Sequence, residues 1–161
     1  MTMIPTRGLQ EQIEKGEVNY TIASEVEANF APTDTFKFSI ETSSKQCYAS
    51  IDIQVNVTTL VSLYEGISSA TSSVSSTIYN MNRSMAASVT TTVDKLSTFA
   101  TGGSEEVIWG GFVDKEDFPR LSPLNLEAGL LLKPNTIYVY SIGNFGNAPS
   151  MITANIFLRE I

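Results

Sequence analysis

The sequence predicts an all-β protein: an antiparallel β-sandwich, jelly-roll-like, preceded by an extended N-terminal arm. Three observations carry that expectation. Apolar and polar residues alternate with a period of two along several segments, which sorts side chains to the two faces of a strand. Helical periodicity is nearly absent, apart from "LQEQIEK", where Leu9 and Ile13 fall four apart. Glycine, proline and asparagine punctuate the chain often enough to separate eight to ten short strands, too closely for the helical crossovers that a parallel sheet needs. A closed barrel is the alternative.

The elements follow in order. "FKFSIET" sends Phe36, Phe38 and Ile40 to one face and Lys37, Ser39 and Glu41 to the other. "CYASIDIQVNV" is the cleanest alternation, with Cys47, Ala49, Ile51, Ile53, Val55 and Val57 opposite Tyr48, Ser50, Asp52, Gln54 and Asn56. Such a pattern describes a sheet with one face in the core. "LVSLYEG" continues it through Val61 and Leu63, and the β-branched "SVTTTV" at 88–93 reads as another strand. Gly102 and Gly103 predict a tight hairpin whose arms are "KLSTFA" and "EEVIWGGF". "AGLLLK" and "PNTIYVYSIGN" read as strand, turn, strand, with Pro134 and Asn135 in the turn. In the second of these Tyr138 and Tyr140 share one face and Ile137 and Val139 the other, which predicts a central strand buried on both sides or one whose second face meets another subunit. "SMITANIFLRE" closes the pattern with Ile152, Ala154, Ile156 and Leu158 on one face.

Two segments fit less well. Residues 1–30, with Pro5, Gly8 and Gly16, are expected to form the arm, and residues 31–161 the sandwich domain; "YTIASEVEANF" is a strand candidate within the arm. Residues 67–77, "ISSATSSVSST", are low in complexity and are expected to be a mobile loop or hairpin.

Composition narrows the chemistry. The chain has 161 residues, enough to bury a core without staples. One cysteine, Cys47, and no histidine predict neither an intramolecular disulfide nor a zinc site, and Cys47 is expected to be a small buried hydrophobe. A net charge of -7 argues against nucleic acid as a partner, since binding a polyanion normally takes a basic stripe. No apolar run approaches the roughly 20 residues that cross a bilayer, and the first residues lack a signal-peptide core, so synthesis in a cytosol without membrane partners is expected. Without histidine the commonest general base is missing, and the expectation is a protein that is not an enzyme and holds no cofactor. Asp114, Glu116 and Asp117 are the nearest approach to a calcium or carboxylate-pair site, but they lack the loop spacing and glycine of an EF-hand, and Lys115 and Pro119 suggest a solvated loop. Trp109, Tyr138 and Tyr140 are the candidates for a glycan platform, against burial of the two tyrosines in the sheet.

Three pieces in order stand out: "LYEG" at 63–66, "NMNRS" at 80–84 and "LKPNTIYVY" at 132–140. A carboxylate at a strand end and a guanidinium from the next connection can pair bidentately, which makes Glu65 and Arg83 the expected structural ion pair. The alternative is that Arg83 is a solvated loop charge. Asn80 and Asn82 suit a turn, because their side chains bond local backbone.

Together with Thr90-Thr91-Thr92-Val93, Gly102-Gly103 and the closing Glu160, these pieces resemble tailed-bacteriophage capsid decoration proteins, also described as head auxiliary or stabilising proteins. The shared order is aromatic-Glu-Gly (Tyr64 to Gly66), a variable hairpin, N-x-N-R (Asn80 to Arg83), a Thr-rich strand, a glycine hairpin, L-x-P-x-T-x-Y (Leu132 to Tyr138), and a final acid. The resemblance covers about residues 36–161. The chain departs from it in "FLREI", where no aromatic directly precedes the acid, in the serine-rich hairpin, and in its first 35 residues, which have no counterpart. The resemblance implies a virion protein on the capsid outer surface, a homotrimer at three-fold or quasi-three-fold positions, whose partner is the major capsid protein. Ile4, Leu9 and Ile13 are then the expected capsid-contacting residues of the arm. A receptor- or glycan-binding β-sandwich is the competing expectation.

Overall fold

The computed structural model describes residues 21–87, 89–100, 106–113 and 130–161. They form eleven strands and no helix: β1 (Thr21–Phe30), β2 (Thr35–Glu41), β3 (Cys47–Val55), β4 (Thr59–Glu65), β5 (Ser69–Ser75), β6 (Tyr79–Asn80), β7 (Thr92–Ala100), β8 (Glu106–Val113), β9 (Leu130–Leu132), β10 (Ile137–Asn144) and β11 (Ser150–Glu160). Two antiparallel sheets pack face to face. The first runs β6-β1-β11-β3-β9 and the second β5-β7-β2-β10-β4-β8. Strands β1 to β4 alternate between the sheets, as do β8 to β11, so each described connection among them carries the chain over an end of the sandwich.

The alternation read from the sequence becomes the core. Cys47, Ala49, Ile51, Ile53 and Val55 of β3 face Phe36, Phe38 and Ile40 of β2 across the sandwich in one cluster with Ile152, Ala154, Ile156 and Leu158 of β11. Phe38 stacks on Tyr140 of β10 with ring centroids 4.9 Å apart. Each such aliphatic or aromatic side chain contributes about 1.5–3 kcal/mol when fully buried. β10 is a central strand between β2 and β4, and both its faces are covered: Tyr138, Tyr140 and Ile142 point into the main core, while Val139 joins Ile67 and Leu96 in a smaller cluster flanked by Tyr64, Phe99 and Ile137. Cys47 is fully buried, and burial pushes its thiol up to about 11, as expected of a small core residue.

Four expectations change. Residues 21–30 are not part of an arm: they form β1, paired with β11 from Thr21 opposite Leu158 to Phe30 opposite Ser150, so the domain takes them in. What hides this strand is Glu25. It occupies an inward position between the apolar ones, is only 6% exposed, and breaks the alternation. Burial raises its carboxyl pKa, and the nearby Lys95 offsets part of that cost. Residues 67–77 contain a strand, β5, which pairs with β7 at one edge of the second sheet. β7 and β8 are not the arms of a hairpin, because β2, β10 and β4 lie between them. Finally, of the described residues of "SVTTTV" only Thr92 and Val93 belong to a strand, and Thr90 and Thr91 precede it.

Candidate functional site

One end of the sandwich, where β4, β9 and β11 finish and β3 and β10 begin, is densely hydrogen-bonded among the described residues. Glu65 is the last residue of β4 and lies opposite Tyr138 in the register. Gly66 follows with φ of 77°, a left-handed conformation that glycine adopts without a side-chain clash, and it turns the chain away from the sheet. On the other side, Leu132 ends β9 in the first sheet and Ile137 begins β10 in the second. The connection between them is the Pro134-Asn135 turn, with Asn135 at φ 51°.

Glu65 fastens that connection. Its Oε1 pairs with Lys133 Nζ, and its Oε2 accepts a hydrogen bond from the Tyr138 hydroxyl at 2.9 Å. The same hydroxyl accepts the Lys133 backbone N–H at 2.8 Å. Three groups from two motifs thus close into one network. The Lys133 ammonium and the Tyr138 hydroxyl hold the Glu65 carboxyl below the usual carboxylate range, and burial next to this carboxylate pushes the Tyr138 phenol up to about 12. Thr42, just after β2, completes the fastening: its hydroxyl donates to the Lys133 carbonyl at 2.6 Å and accepts the Thr136 N–H at 3.0 Å.

A second carboxylate closes the neighbouring loop. Glu160 Oε1 accepts four hydrogen bonds from two successive threonines: the N–H and hydroxyl of Thr90, at 2.7 and 3.0 Å, and those of Thr91, at 2.7 and 2.8 Å. The capture of this carboxylate by both backbone N–H groups is what keeps Thr90 and Thr91 out of β7. Lys45 Nζ stands 3.6 Å from Oε2, and Ser43 shares a hydrogen bond with the Thr90 hydroxyl. Burial alone would raise the pKa of this carboxyl, but the threonine donors outweigh it and hold it low. An open depression of about 400 Å³, lined by Glu41, Thr42, Gly66, Ile67 and Asn135 to Ile137, lies beside the Glu65 network.

Glu65 and Arg83 are not brought together. Glu65 belongs to the second sheet and is committed to Lys133 and Tyr138, whereas Arg83 follows β6 at the edge of the first sheet and stacks over the Tyr79 ring, 4.3 Å from its centroid. The asparagines do hold the turn: Asn80 Oδ1 accepts the Asn82 N–H at 2.8 Å, and Asn82 Oδ1 accepts the Ser84 N–H at 3.1 Å. Ile4, Leu9, Ile13, Asp114, Glu116 and Asp117 lie outside the described residues. Tyr138 and Tyr140 are each 1% exposed and so cannot form a glycan platform. Among the described residues no group of three or more acidic or cysteine side chains is placed to hold a metal ion. Sequence reasoning missed Lys133 and the Thr90-Thr91 pair as partners; the signal available was that each falls in a motif of the same ordered set as the acid it binds.

The opposite end is closed differently. Asn144, the last residue of β10, is 4% exposed; its amide donates to the carbonyls of Phe30 (2.8 Å) and Ala148 (3.2 Å), and its Oδ1 accepts the Gly146 N–H (2.8 Å). Beside it, Phe112 and Phe145 meet edge to face with centroids 5.4 Å apart, both about 60% exposed, near an apolar cleft of about 440 Å³. No protein-family model matches the chain, and no curated protein matches it.

Proposed function

We propose that this chain is a structural virion protein, not an enzyme, which binds the outer surface of an assembled phage capsid and stabilises it by clamping neighbouring major capsid subunits. The observation that carries this reading is the use made of the resemblance's motifs. Aromatic-Glu-Gly and L-x-P-x-T-x-Y meet in the Glu65–Lys133–Tyr138 network, and the Thr-rich segment and the final acid meet in the Glu160–Thr90–Thr91 network. Four pieces separated in sequence thus serve one purpose, the rigid closure of a sandwich end, which is architecture suited to a clamp. Glu65 is committed through both its oxygens and Glu160 through Oε1, an arrangement that favours a binding module over catalysis.

The strand order supports the finer fold reading as well. β1-β11-β3-β9 facing β2-β10-β4-β8 follows the pattern of a jelly roll, with β5 to β7 as an insertion that widens both sheets. Jelly rolls serve in viral shells and in lectins alike. The exposed Phe112–Phe145 pair beside its cleft favours, as a second reading, a receptor- or glycan-binding surface.

Co-sedimentation separates the two. Expanded capsids lacking this protein are mixed with the purified chain; binding that saturates and raises the capsids' heat resistance is the expected result. Failure to co-sediment, together with retention on host surface polysaccharide that is lost in Phe145→Ala, overturns the capsid reading. Deleting residues 1–20, which contain Ile4, Leu9 and Ile13, is expected to abolish capsid binding while leaving the sandwich folded.

A further inference from the structure

The outer faces of the two sheets differ. On the second sheet Val139, Ile67 and Leu96 are buried, with Tyr64, Phe99 and Ile137 packed against them, so the chain covers that face itself. On the first sheet the outer face has two halves. One is polar, and its side chains satisfy each other: Ser24 donates to Asn155, and Gln54 to Asp52. The other half, at the end where β11 finishes, is an apolar band. Tyr79, Ile22 and Phe157 lie in register across β6, β1 and β11. Two residues further along β11, Arg159 lies opposite Tyr48 of β3, which lies opposite Leu131 of β9. Among the described residues nothing covers this band, and it leaves Tyr79 47%, Tyr48 40% and Leu131 44% exposed. A contiguous apolar patch on a sheet face marks a contact surface.

The start of the chain identifies what covers it. β1 begins at Thr21, opposite Asn80 on one side and Leu158 on the other, so residues 1–20 join the sheet at the apolar half. From β1 across β11 and β3 to β9 is three strand spacings, about 14 Å, a distance that half of those residues suffice to cross. Their charge is complementary as well. Residues 11–20 carry Glu11, Glu14 and Glu17 against one lysine, Lys15, whereas the band carries Arg159 and, stacked over Tyr79, Arg83, with no carboxylate. Leu9, Ile13 and Val18 supply apolar side chains. The other segment of comparable length, 114–129, is tied at both ends, to β8 and β9, edge strands of different sheets, which leaves it less chain to spare.

We propose that in the free protein residues 1–20 fold back over the apolar half of the first sheet's outer face, with Leu9 and Ile13 seated among Phe157, Tyr48 and Leu131 and the glutamates beside Arg159 and Arg83. The occupant is the same chain, because its attachment at Thr21 holds it at a high effective concentration against this face, which no separate molecule shares. The inference stands without the capsid reading, and its test uses no capsid. Joined to that reading it adds a form of regulation: the residues assigned to grip the shell are first seated on the protein's own sheet, so a capsid that takes the arm uncovers the band.

Thiol alkylation of the full chain tests this. Tyr48→Cys places a thiol in the band and Val74→Cys one on β5 of the second sheet, while the native Cys47 is fully buried and stays unreactive. Tyr48→Cys is expected to react roughly tenfold or more slowly than Val74→Cys, since the arm must open first. Leu131→Cys repeats the measurement should Tyr48→Cys fail to fold. Adding Leu9→Asp and Ile13→Asp, outside the sandwich, is expected to bring the Tyr48→Cys rate up to that of Val74→Cys and to leave Val74→Cys unchanged. Glu14→Lys with Glu17→Lys is expected to raise it by only roughly twofold, as exposed charges do. The proposal is overturned if Tyr48→Cys reacts as fast as Val74→Cys in the unaltered background, which means an open face. Protection indifferent to Leu9→Asp and Ile13→Asp overturns it too, since another segment such as 114–129 then covers the band. So does protection that disappears on dilution, which assigns the cover to a second copy.

Discussion

The two ends of the sandwich solve one problem with different chemistry. Where the chain passes from one sheet to the other, backbone groups leave the ladders and need partners. At one end ionised carboxylates anchor them, Glu160 by accepting backbone N–H groups directly and Glu65 through the Tyr138 hydroxyl that accepts the Lys133 N–H; at the other a neutral amide, Asn144, does. The difference is in what the closure responds to. A carboxylate binds its donors strongly but can be neutralised by a proton, whereas an amide binds more weakly and is indifferent to pH.

The sharpest way to break this contrast is Glu160→Ala, expected to cost about 3 kcal/mol at neutral pH, since four donors to one charged oxygen are left without it and water recovers part of the loss. Asn144→Ala should cost about 2 kcal/mol, because its three partners include buried backbone groups. Urea denaturation at several pH values then separates the ends. Glu65 and Glu160 have pKa values lowered in the folded state, so their contribution is complete above about 4.3, the unfolded value for Glu, and is lost as pH falls through the folded value. The deficit of Glu160→Ala should therefore shrink on acidification while that of Asn144→Ala stays constant; equal behaviour would erase the distinction. Glu27 adds to the acid-sensitive group through Lys95, and Glu25, whose pKa is raised, works in the opposite sense.

Smaller effects test the wiring within the charged end. Tyr138→Phe removes the hydroxyl that joins Lys133 N–H to Glu65 and should cost about 1 kcal/mol. The Lys133 ammonium adds less than its short contact suggests, because its side chain is 68% exposed and solvent screens it. Arg83→Ala should cost only about 0.5 kcal/mol, the worth of an exposed cation–π contact with Tyr79. Combined with Glu65→Gln, the two losses should simply add; coupling beyond about 0.5 kcal/mol would restore the ion pair that the geometry lacks.

Strands whose inward positions are all apolar, such as β3 and β11, could be read directly from their alternation. β1 was legible only as a strand candidate within the arm, because a buried carboxylate near a lysine of another strand looks in sequence like a surface residue. The site was legible as a set of pieces but not as contacts. Glu65 is 68 residues from Lys133 and Glu160 is 70 from Thr90, and spacing says nothing about which distant donor a carboxylate will meet. The local guess, that Glu65 pairs with the next arginine, failed because the intervening strands β5 and β6 belong to different sheets.

The pairing of Thr21 with Leu158 places the start of β1 beside the end of β11, in adjacent antiparallel strands. A tensile load applied through these two points would open the β1–β11 ladder one bond at a time, like a zip, instead of shearing all of its bonds together. Glu160 sits at the mouth of that zip. Its grip on Thr90 and Thr91 ties the end of β11 to the second sheet, so the first mechanical event under load is the release of a carboxylate, and resistance to force should fall in acid before the core has lost anything.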